Sequence, residues 1–240
     1  MKSNIIITIL FLIIGSMVLS QEKLKVEYNV LPYFESPVKE DFEIKSVSSL
    51  FSLIVDQSES KYELLPKIDN SQQETIGITM SADENTVYKN TKSEKYIEEA
   101  AIEDKIFLIK GHLPKIDWKI TKETKEIADF LVLKATATLT DENKTFVTAW
   151  YSPKLNYKTG PDKFWGLPGL ILEIETQINY EDGSKEGIKY VVSKIEALKS
   201  NEKIKIPVKG KEITQEEFSR IKKRYLQKLM EMYGGGVDTE

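Results

Sequence analysis

Pairs of carboxylates are the residues of this sequence whose spacing comes closest to that of a catalytic site. Glu173 and Glu175 stand two positions apart in a strand-like segment, so both side chains point to one face, about 7 Å apart. Retaining and inverting glycosidases use two carboxylates at such distances. The solvated face of an antiparallel strand gives the same spacing, and Glu98-Glu99 forms another pair. We interpret Glu173 and Glu175 as surface residues and predict no catalytic residue, with a carboxylate- or metal-dependent hydrolase as an alternative.

Few other groups in the sequence are suited to chemistry. The chain has no cysteine and one histidine, which excludes disulfides, thiolate ligands, cysteine nucleophiles and lipid attachment through cysteine. His112 lies in Gly111-His112-Leu113-Pro114, which we interpret as a turn between two strands. No serine stands in a G-x-S-x-G motif that could complete a catalytic triad with it. We therefore expect a protein that is not an enzyme and has neither a cofactor nor a metal site.

Two charged segments resemble ion-binding sites only in part. Asp182-Gly183-Ser184 begins like a calcium loop but lacks the alternating ligands and the closing glutamate, so we interpret it as a tight turn. The basic run Lys222-Lys223-Arg224 would suit an anionic membrane, but the same helix also carries several glutamates, which indicates a solvated face. The balance of 34 basic against 38 acidic residues argues against nucleic-acid binding.

The first twenty residues differ from the rest of the chain. Met1-Lys2 precedes an apolar run from Ile5 to Leu19, which predicts a secretory signal peptide over residues 1–20, cleaved after Ser20. A membrane anchor is the alternative, but the run is shorter than the roughly 20 residues that a membrane-spanning helix needs. Export of a cysteine-free chain points to a bacterial envelope. We expect a soluble protein of the periplasm or the extracellular space that is not lipid-anchored.

Period-two alternation of apolar residues predicts a strand-rich domain over residues 21–240. Leu24, Val26, Tyr28 and Val30 alternate with polar residues, as in a half-buried strand. Asp182-Gly183 joins two further alternating segments, which is typical of a hairpin. Other predicted strands are Leu50–Val55, Thr75–Met80, Thr86–Lys89, Lys95–Glu99, Lys105–Lys110, Lys115–Ile120, Ile127–Leu139, Thr145–Tyr151 and Leu170–Tyr180.

A single helix is predicted near the C-terminus. Thr214 and Glu217 form a capping box, and a glycine run from Gly234 ends the segment. Apolar residues follow the cap at helical spacing: Phe218, Ile221, Tyr225, Leu229 and Met232. The predicted fold class is therefore α+β and β-dominated, a meandering, curved antiparallel sheet with a C-terminal amphipathic helix in one domain.

A loop of eighteen residues, Ser152 to Gly169, separates two predicted strands. Loops of this length are usually functional or packed against themselves. Trp165 lies in this loop, where it serves either a ligand pocket or the anchoring of the loop; Trp118 and Trp150 lie in predicted strands and are interpreted as core. We expect a β-branched residue at Gly166 or Gly169 to prevent folding if the position needs a positive φ.

The stretch Gly166-Leu167-Pro168-Gly169-Leu170-Ile171 resembles the signature of the GLPGLI family. Four upstream elements are similar to the family pattern: Trp118-Lys119-Ile120, Glu123-Thr124-Lys125-Glu126-Ile127, Lys134-Ala135-Thr136 and Ala149-Trp150-Tyr151. Many members carry a cysteine just before the Lys-Ala pair, where this chain has Val132-Leu133. A thiol function is therefore unavailable here.

The resemblance implies an exported bacterial envelope protein whose biochemical activity is not established. The function that we expect is a non-enzymatic binding or carrier module; an interaction or structural partner of an outer-membrane complex is the alternative, and it predicts an exposed apolar patch around Phe164, Trp165 and Leu167. The expected partners are an apolar ligand or an outer-membrane protein. The resemblance assigns the candidate binding residues to the motif: Gly160, Pro161, Phe164, Trp165, Gly166, Leu167, Pro168, Gly169, Leu170 and Ile171.

Overall fold

Strands make up most of the part of the chain that the structure describes. The structure is a computed structural model, and it describes residues 22–38, 44–66, 78–199 and 203–234. The predicted signal peptide, residues 1–20, lies outside the described residues. The elements are β1 (Leu24–Glu35), β2 (Ile44–Ser46), β3 (Ser49–Asp56), β4 (Glu59–Leu64), β5 (Ile78–Met80), β6 (Thr86–Asn90), β7 (Lys95–Ile102), β8 (Lys105–His112), β9 (Lys119–Ile127), β10 (Phe130–Thr138), β11 (Phe146–Ser152), β12 (Leu170–Asn179), β13 (Lys185–Ala197), β14 (Lys211–Ile213) and α1 (Gln215–Gly234).

Twelve strands form one sheet in the order β14-β8-β7-β6-β4-β3-β1-β13-β12-β11-β10-β9. One meander runs from β3 to β8 and a second from β9 to β13, and β1 joins them by pairing with both β3 and β13. These pairs are antiparallel, whereas β14 runs parallel to β8. β2 and β5 form a separate parallel pair. The predicted β-dominated meander with a C-terminal helix is confirmed.

The sheet curves because its two outer regions are joined by a short connection. Ten strand-to-strand steps separate β8 from β9 in the sheet order, and a flat sheet would hold them about 48 Å apart. Only residues 113–118 link His112 to Lys119, and that length of chain reaches about 25 Å at most. β8 and β9 do not pair with each other, so the sheet bends without closing.

The apolar core lies on one face of this sheet, which we call the inner face. Its alternating residues on β1 are Leu24, Val26, Tyr28 and Val30, all buried as the period-two pattern predicts. β3 places Phe51, Leu53 and Val55 beside them in register. The opposite, outer face carries the polar residues of the same strands. From Leu24 to Val30 of β1 the core-facing residues are apolar and the outward residues are polar, so a shift of one residue would bring polar side chains into the core, and the register of this strand is thereby fixed.

Helix α1 begins at the predicted capping box. The Glu217 amide donates to Thr214 Oγ1, and the Thr214 amide donates to Glu217 Oε2, both at 3.2 Å. Phe218 packs edge-on against Phe107 of β8, with ring centroids 5.9 Å apart. Leu226 and Met232, farther along the helix, are exposed. In the described ranges no helix is long and apolar enough to cross a membrane.

The structure differs from the predicted strands mainly around β9. The predicted strand Lys115–Ile120 is wrong for residues 115–118, since β9 begins at Lys119. The predicted single strand Ile127–Leu139 is divided by a tight turn, in which Ala128 and Asp129 have φ of 48° and 63°. β9 is polar on both faces, so it lacks the alternation that predicts a strand. The turn was missed because it contains no glycine.

Smaller differences concern single segments. β2, β4 and β14 were not predicted, and of the predicted strand Thr75–Met80 only β5 lies among the described residues. His112 was placed in a turn but is the last residue of β8, paired with Lys95. The Asp182-Gly183 hairpin is confirmed: Gly183 has a φ of 85°, and Asp182 Oδ1 accepts from the Ser184 amide.

Candidate functional site

The segment Ser152–Gly169, which we call the motif loop, lies on the inner face of the sheet. Its backbone follows β12 through bonds from the Ile171 amide to the Thr159 carbonyl and from the Leu170 amide to the Leu155 carbonyl. Seven predicted site residues are buried in this way: Gly160, Pro161, Phe164, Leu167, Gly169, Leu170 and Ile171. The exposed apolar patch that the alternative of an interaction partner predicts is therefore not found at Phe164 and Leu167, whose apolar surface is removed from water by the inner face.

The other three predicted site residues lie nearer the surface. Trp165 is half-buried, and Gly166 and Pro168 are exposed. Trp165 Nε1 donates to the Pro114 carbonyl at 2.7 Å, and Trp118 Nε1 donates to the Trp165 carbonyl at 2.9 Å. The two indoles therefore hold the motif loop against the connection between β8 and β9.

Trp118 and Trp150, which were interpreted as core, are partly buried and pack against the core cluster, but their polar surroundings differ. Trp118 precedes β9 and is half-buried, so its placement in a strand is wrong. Trp150 is half-buried on β11, opposite in alternation to buried Ala149. The ammonium groups of Lys125 and Lys134 lie 4.4 and 5.8 Å from the centroid of its ring. Trp150 is thus a cation–π partner on the outer face.

Two glycines of the motif are required for different reasons. Gly166 has a φ of 94°, which residues with a side chain rarely adopt. Gly169 packs so closely that a Cβ atom there would lie 2.2 Å from the Ser152 carbonyl oxygen. Only the first case fits the predicted requirement for a positive φ. At Gly169 the cause is close backbone approach.

A fully buried lysine binds the motif loop from β6. Lys89 Nζ donates to the carbonyls of Gly160 at 2.6 Å and Phe164 at 3.2 Å. Burial lowers the pKa of Lys89 to about 7, while the negative charge of Asp162 acts in the opposite direction. Sequence reasoning missed this residue, although it stands two positions after buried Val87 and therefore on the inner face of a predicted strand.

Next to this lysine is a small cavity of about 140 Å³, which we call the polar cleft. An adjoining groove of about 360 Å³ shares Asp83, Asp162, Ile188 and Tyr190 with it. The motif loop therefore forms one wall and the sheet the other. The residues lining the cleft are Tyr62, Asp83, Asn85, Glu98, Asp162, Lys163, Ile188 and Tyr190.

Two ion pairs border the polar cleft. Lys163 Nζ lies 2.8 Å from Glu98 Oε2, and the Glu98 side chain is only 4% exposed. The second oxygen of Glu98 accepts from Asn85 Nδ2 at 2.7 Å. Burial lowers the pKa of Lys163, but Asp162 and Glu98 together raise it above its ordinary value. Lys222 of α1 lies 2.5 Å from Asp83, so one residue of the basic run contacts the cleft.

Asp162 and two tyrosines have polar atoms without partners. Asp162 has a φ of 44°, and within the described part of the chain its carboxylate makes no hydrogen bond or ion pair. Tyr62 and Tyr190 are more than nine-tenths buried. Their rings pack on Phe51, stacked at 4.8 Å, and on Phe164, edge-on at 6.1 Å, but neither hydroxyl is hydrogen-bonded to another described residue.

The charge of the cleft affects both tyrosines. Burial raises the pKa of Tyr62 and of Tyr190 above the ordinary value of 10, and the negative charge of Asp162 adds to both shifts. Both hydroxyls are therefore protonated at neutral pH. A carboxylate acceptor and two hydroxyls, each able to donate and to accept, face one small volume.

The residues first considered for catalysis are not brought together. Glu173 and Glu175 pair with Lys125 at 2.7 Å and Lys189 at 3.3 Å, as expected of a surface strand. Glu98 and Glu99 point to opposite faces of β7, and His112 is exposed. Across the described ranges there is no group of three or more His, Cys, Asp or Glu residues that could hold a metal ion.

Residues 138–173, which include the motif loop, match a protein family described as "Protein of unknown function (Porph_ging)". No curated protein matches the chain. Two solved structures of PNGF-II, in space groups P21 and C2, are similar at TM-scores of 0.55 and 0.54 and 17% identity. The alignments cover 85% of this chain and 34% and 33% of PNGF-II. This chain thus spans about a third of the PNGF-II chain, and the likeness concerns the fold.

A third solved structure is that of the LolA superfamily protein NE2245 from Nitrosomonas europaea. Its TM-score is 0.31 at 8% identity, with 75% of this chain and 88% of that chain covered. A likeness at this level carries no argument about ligand or function.

Proposed function

We propose that this chain is an exported protein of the GLPGLI type, in the periplasm or extracellular space, that acts as a non-enzymatic binding module with the polar cleft as its ligand site. One observation carries the proposal. The motif loop presents the unpaired carboxylate of Asp162 to the hydroxyls of Tyr62 and Tyr190, and those groups have no partner among the described residues. These groups line one small cavity and are not bonded to other described groups of the protein, so they are available to bind a ligand.

The packing of the motif loop favours this function over that of an acyl-chain carrier. A carrier needs apolar space along the inner face of a curved sheet. In this chain Phe164 and Leu167 occupy the inner face, and Lys89 fixes the loop that bears them. The volume beside the loop is lined mainly by polar and charged side chains. It therefore suits a small polar ligand better than a hydrocarbon chain.

In this proposal the GLPGLI motif has a structural function. Gly166 and Gly169 allow the turn and the close packing that bring Asp162 and Lys163 to the cleft. The motif residues are then supporting residues, and the ligand contacts come from the loop segment before them. The match of residues 138–173 to a family of unknown function includes this segment.

The proposal is tested by amide chemical shifts of the isotope-labelled protein during titration with small molecules of three kinds: alkylammonium ions, neutral polyols and dodecanoate. We expect a polar compound to shift the amides of Asn85, Glu98, Asp162 and Tyr190 as one saturable group. A carrier would instead respond to dodecanoate with shifts at inner-face residues such as Val26 and Leu53. Saturable shifts of inner-face amides with dodecanoate would contradict the proposal, and so would the absence of shifts at the cleft with every compound.

A further inference from the structure

We propose that the polar cleft binds an organic cation through a primary ammonium group, with Asp162 as its counter-ion and the hydroxyls of Tyr62 and Tyr190 as further acceptors. This inference rests on the proposed function and names the class of ligand. It is carried by the carboxylate of Asp162, which has no ion-pair partner among the described residues, by the hydrogen-bonding groups of the cleft and by its division into a small cavity and an adjoining groove.

The three carboxylates of the cleft are not paired in the same way. Glu98 is neutralised by Lys163 and Asp83 by Lys222. Asp162 has no cation in ion-pair distance among the described residues. The amino group of Lys89 is directed to two backbone carbonyls instead. The positive charge of Lys89 acts on Asp162 without an ion-pair contact, so the Asp162 carboxylate can still take a cationic ligand as a contact partner.

Hydrogen-bonding groups point to the same class of ligand. The carboxylate of Asp162 can only accept, and Asn85 uses its amide nitrogen on Glu98, which leaves its carbonyl oxygen as an acceptor. The hydroxyl oxygens of Tyr62 and Tyr190 accept as well. A primary ammonium group has three donors and no acceptor, so it complements this lining. A neutral polyol could use the two tyrosine hydroxyls but would leave the negative charge of Asp162 without a cation in contact.

The cavity and groove fit the two ends of such a ligand. The cavity of about 140 Å³ holds the acceptors and is the smaller space. The adjoining groove of about 360 Å³ is lined in part by Phe164, Ile178 and Ile188, which suit the methylene groups of an alkylamine. Both a free diamine and a lysine side chain of a protein partner present this chemistry.

Calorimetric titration at pH 7 of the full protein, as processed by the cells that make it, tests the ligand class. The probes are n-butylammonium, diaminobutane, a blocked tripeptide with a central lysine, n-butanol, glucose and calcium ion. We expect the ammonium probes to bind and n-butanol, glucose and calcium to give no heat of binding. Tighter binding of the diamine than of the peptide would indicate a free amine as ligand, and the reverse order a protein partner.

Variants assign the binding to the cleft. Asp162→Asn keeps the shape and removes the charge, so affinity for n-butylammonium should fall at least about tenfold. Asp129→Asn is the matched control, because Asp129 also has a positive φ, 63°, but lies in the turn between β9 and β10. Tyr190→Phe should weaken binding by a smaller factor, and Tyr88→Phe, which removes an outer-face hydroxyl bonded to Glu59, should leave it unchanged.

The outcomes separate the inference from the proposed function. If glucose or calcium binds, ammonium does not, and Asp162→Asn weakens that binding, the inferred ammonium ligand is wrong and the proposed binding module stands. If an ammonium probe binds equally to the wild type and to Asp162→Asn, the site lies elsewhere and the inference is overturned. If no probe binds and none shifts the cleft amides, both the inference and the proposed function fail.

Discussion

The two faces of the sheet contain the same kinds of residue pairs in different surroundings. On the inner face Lys163 pairs with Glu98, whose side chain is 4% exposed. On the outer face Lys125 pairs with Glu173, and the two side chains are 36% and 24% exposed. The lengths, 2.8 and 2.7 Å, are nearly equal. Length therefore cannot distinguish their contributions, whereas burial can, because a buried charge that loses its partner keeps its desolvation cost.

The tryptophans also differ between the inner and the outer face in what their side chains contact. Trp165 and Trp118 direct their indole nitrogens to backbone carbonyls and hold the motif loop. Trp150 lies on the outer face beneath two lysine side chains. The inner-face residues thus determine the position of the motif loop, and with it the cleft. The outer-face residues form a solvated surface, and their substitution should change the free energy of unfolding little.

The largest expected difference concerns Gly169 and Gly166. In Gly169→Ala the new Cβ meets the Ser152 carbonyl oxygen at 2.2 Å, so the motif loop must leave its place, and we expect a loss of about 4 kcal/mol or more in the free energy of unfolding. Gly166→Ala has room, its nearest neighbour being Trp118 at 3.7 Å, and costs only the strain of its φ, about 1–2 kcal/mol. Urea denaturation measures both. Equal losses would refute the distinction.

The second largest difference in stability is expected between the inner-face ion pair Lys163–Glu98 and the outer-face ion pair Lys125–Glu173. Lys163→Met leaves Glu98 charged, buried and supported only by Asn85, so the free energy of unfolding should fall by about 3 kcal/mol. Lys125→Met, the control on the outer face, should cost less than about 1 kcal/mol. A double-mutant cycle with Glu98→Gln and with Glu173→Gln isolates each coupling. Similar coupling energies for the two pairs would contradict the account.

Lys89 should give the stability a pH dependence. Its pKa is about 7 in the folded protein, against an ordinary value of 10.5, so between these pH values the unfolded chain binds more protons. The free energy of unfolding therefore rises with pH in this window, by at most about 1.4 kcal/mol per pH unit. Below about pH 7 the full cost of charging Lys89 is present and no longer changes.

The measurement is urea denaturation between about pH 7.5 and 9.5. This range ends before ionisation of the tyrosines, whose raised pKa values lower stability again above pH 10. Lys89→Met should flatten the slope, and Lys134→Met, on the outer face, should retain it. A wild-type protein whose stability does not change over this range would refute the prediction even if Lys89→Met does not fold.

The smallest expected difference concerns the indole hydrogen bonds. Trp165→Phe removes the bond to the Pro114 carbonyl and should cost about 1–2 kcal/mol from the lost bond and lost packing. Trp150→Phe keeps an aromatic ring beneath Lys125 and should cost about 0.5 kcal/mol or less. Thermal unfolding of the two variants compares them. A larger loss for Trp150→Phe would place the more important tryptophan on the outer face.

Local patterns predicted those parts of the fold that depend on neighbouring residues. The capping box at Thr214, the hairpin at Gly183 and the alternation in β1 each arise within a few residues, and all three are confirmed. β9 could not be predicted, because both of its faces are polar. Its strand conformation comes from pairing with β10, which no local pattern records.

The motif loop was predicted as a candidate site, but the cleft beside it was not. The side of the polar cleft that belongs to the sheet is formed by Tyr62 of β4, Glu98 of β7 and Tyr190 of β13. These strands meet only through the order of the sheet, and β4 was not predicted at all. Asp162 carried one signal that sequence reasoning passed over: a charged residue between a glycine-proline pair and two aromatic residues is held inside a turn.

The central claim is that the motif loop and the sheet enclose a ligand site. Crystals of the protein soaked with n-butylammonium test it directly by electron density. The account predicts density for the ammonium group within hydrogen-bond distance of the Asp162 carboxylate and the Tyr190 hydroxyl, absent from crystals of Asp162→Asn. Density for the ligand elsewhere on the protein, with the polar cleft holding only water in the wild type, would contradict the account.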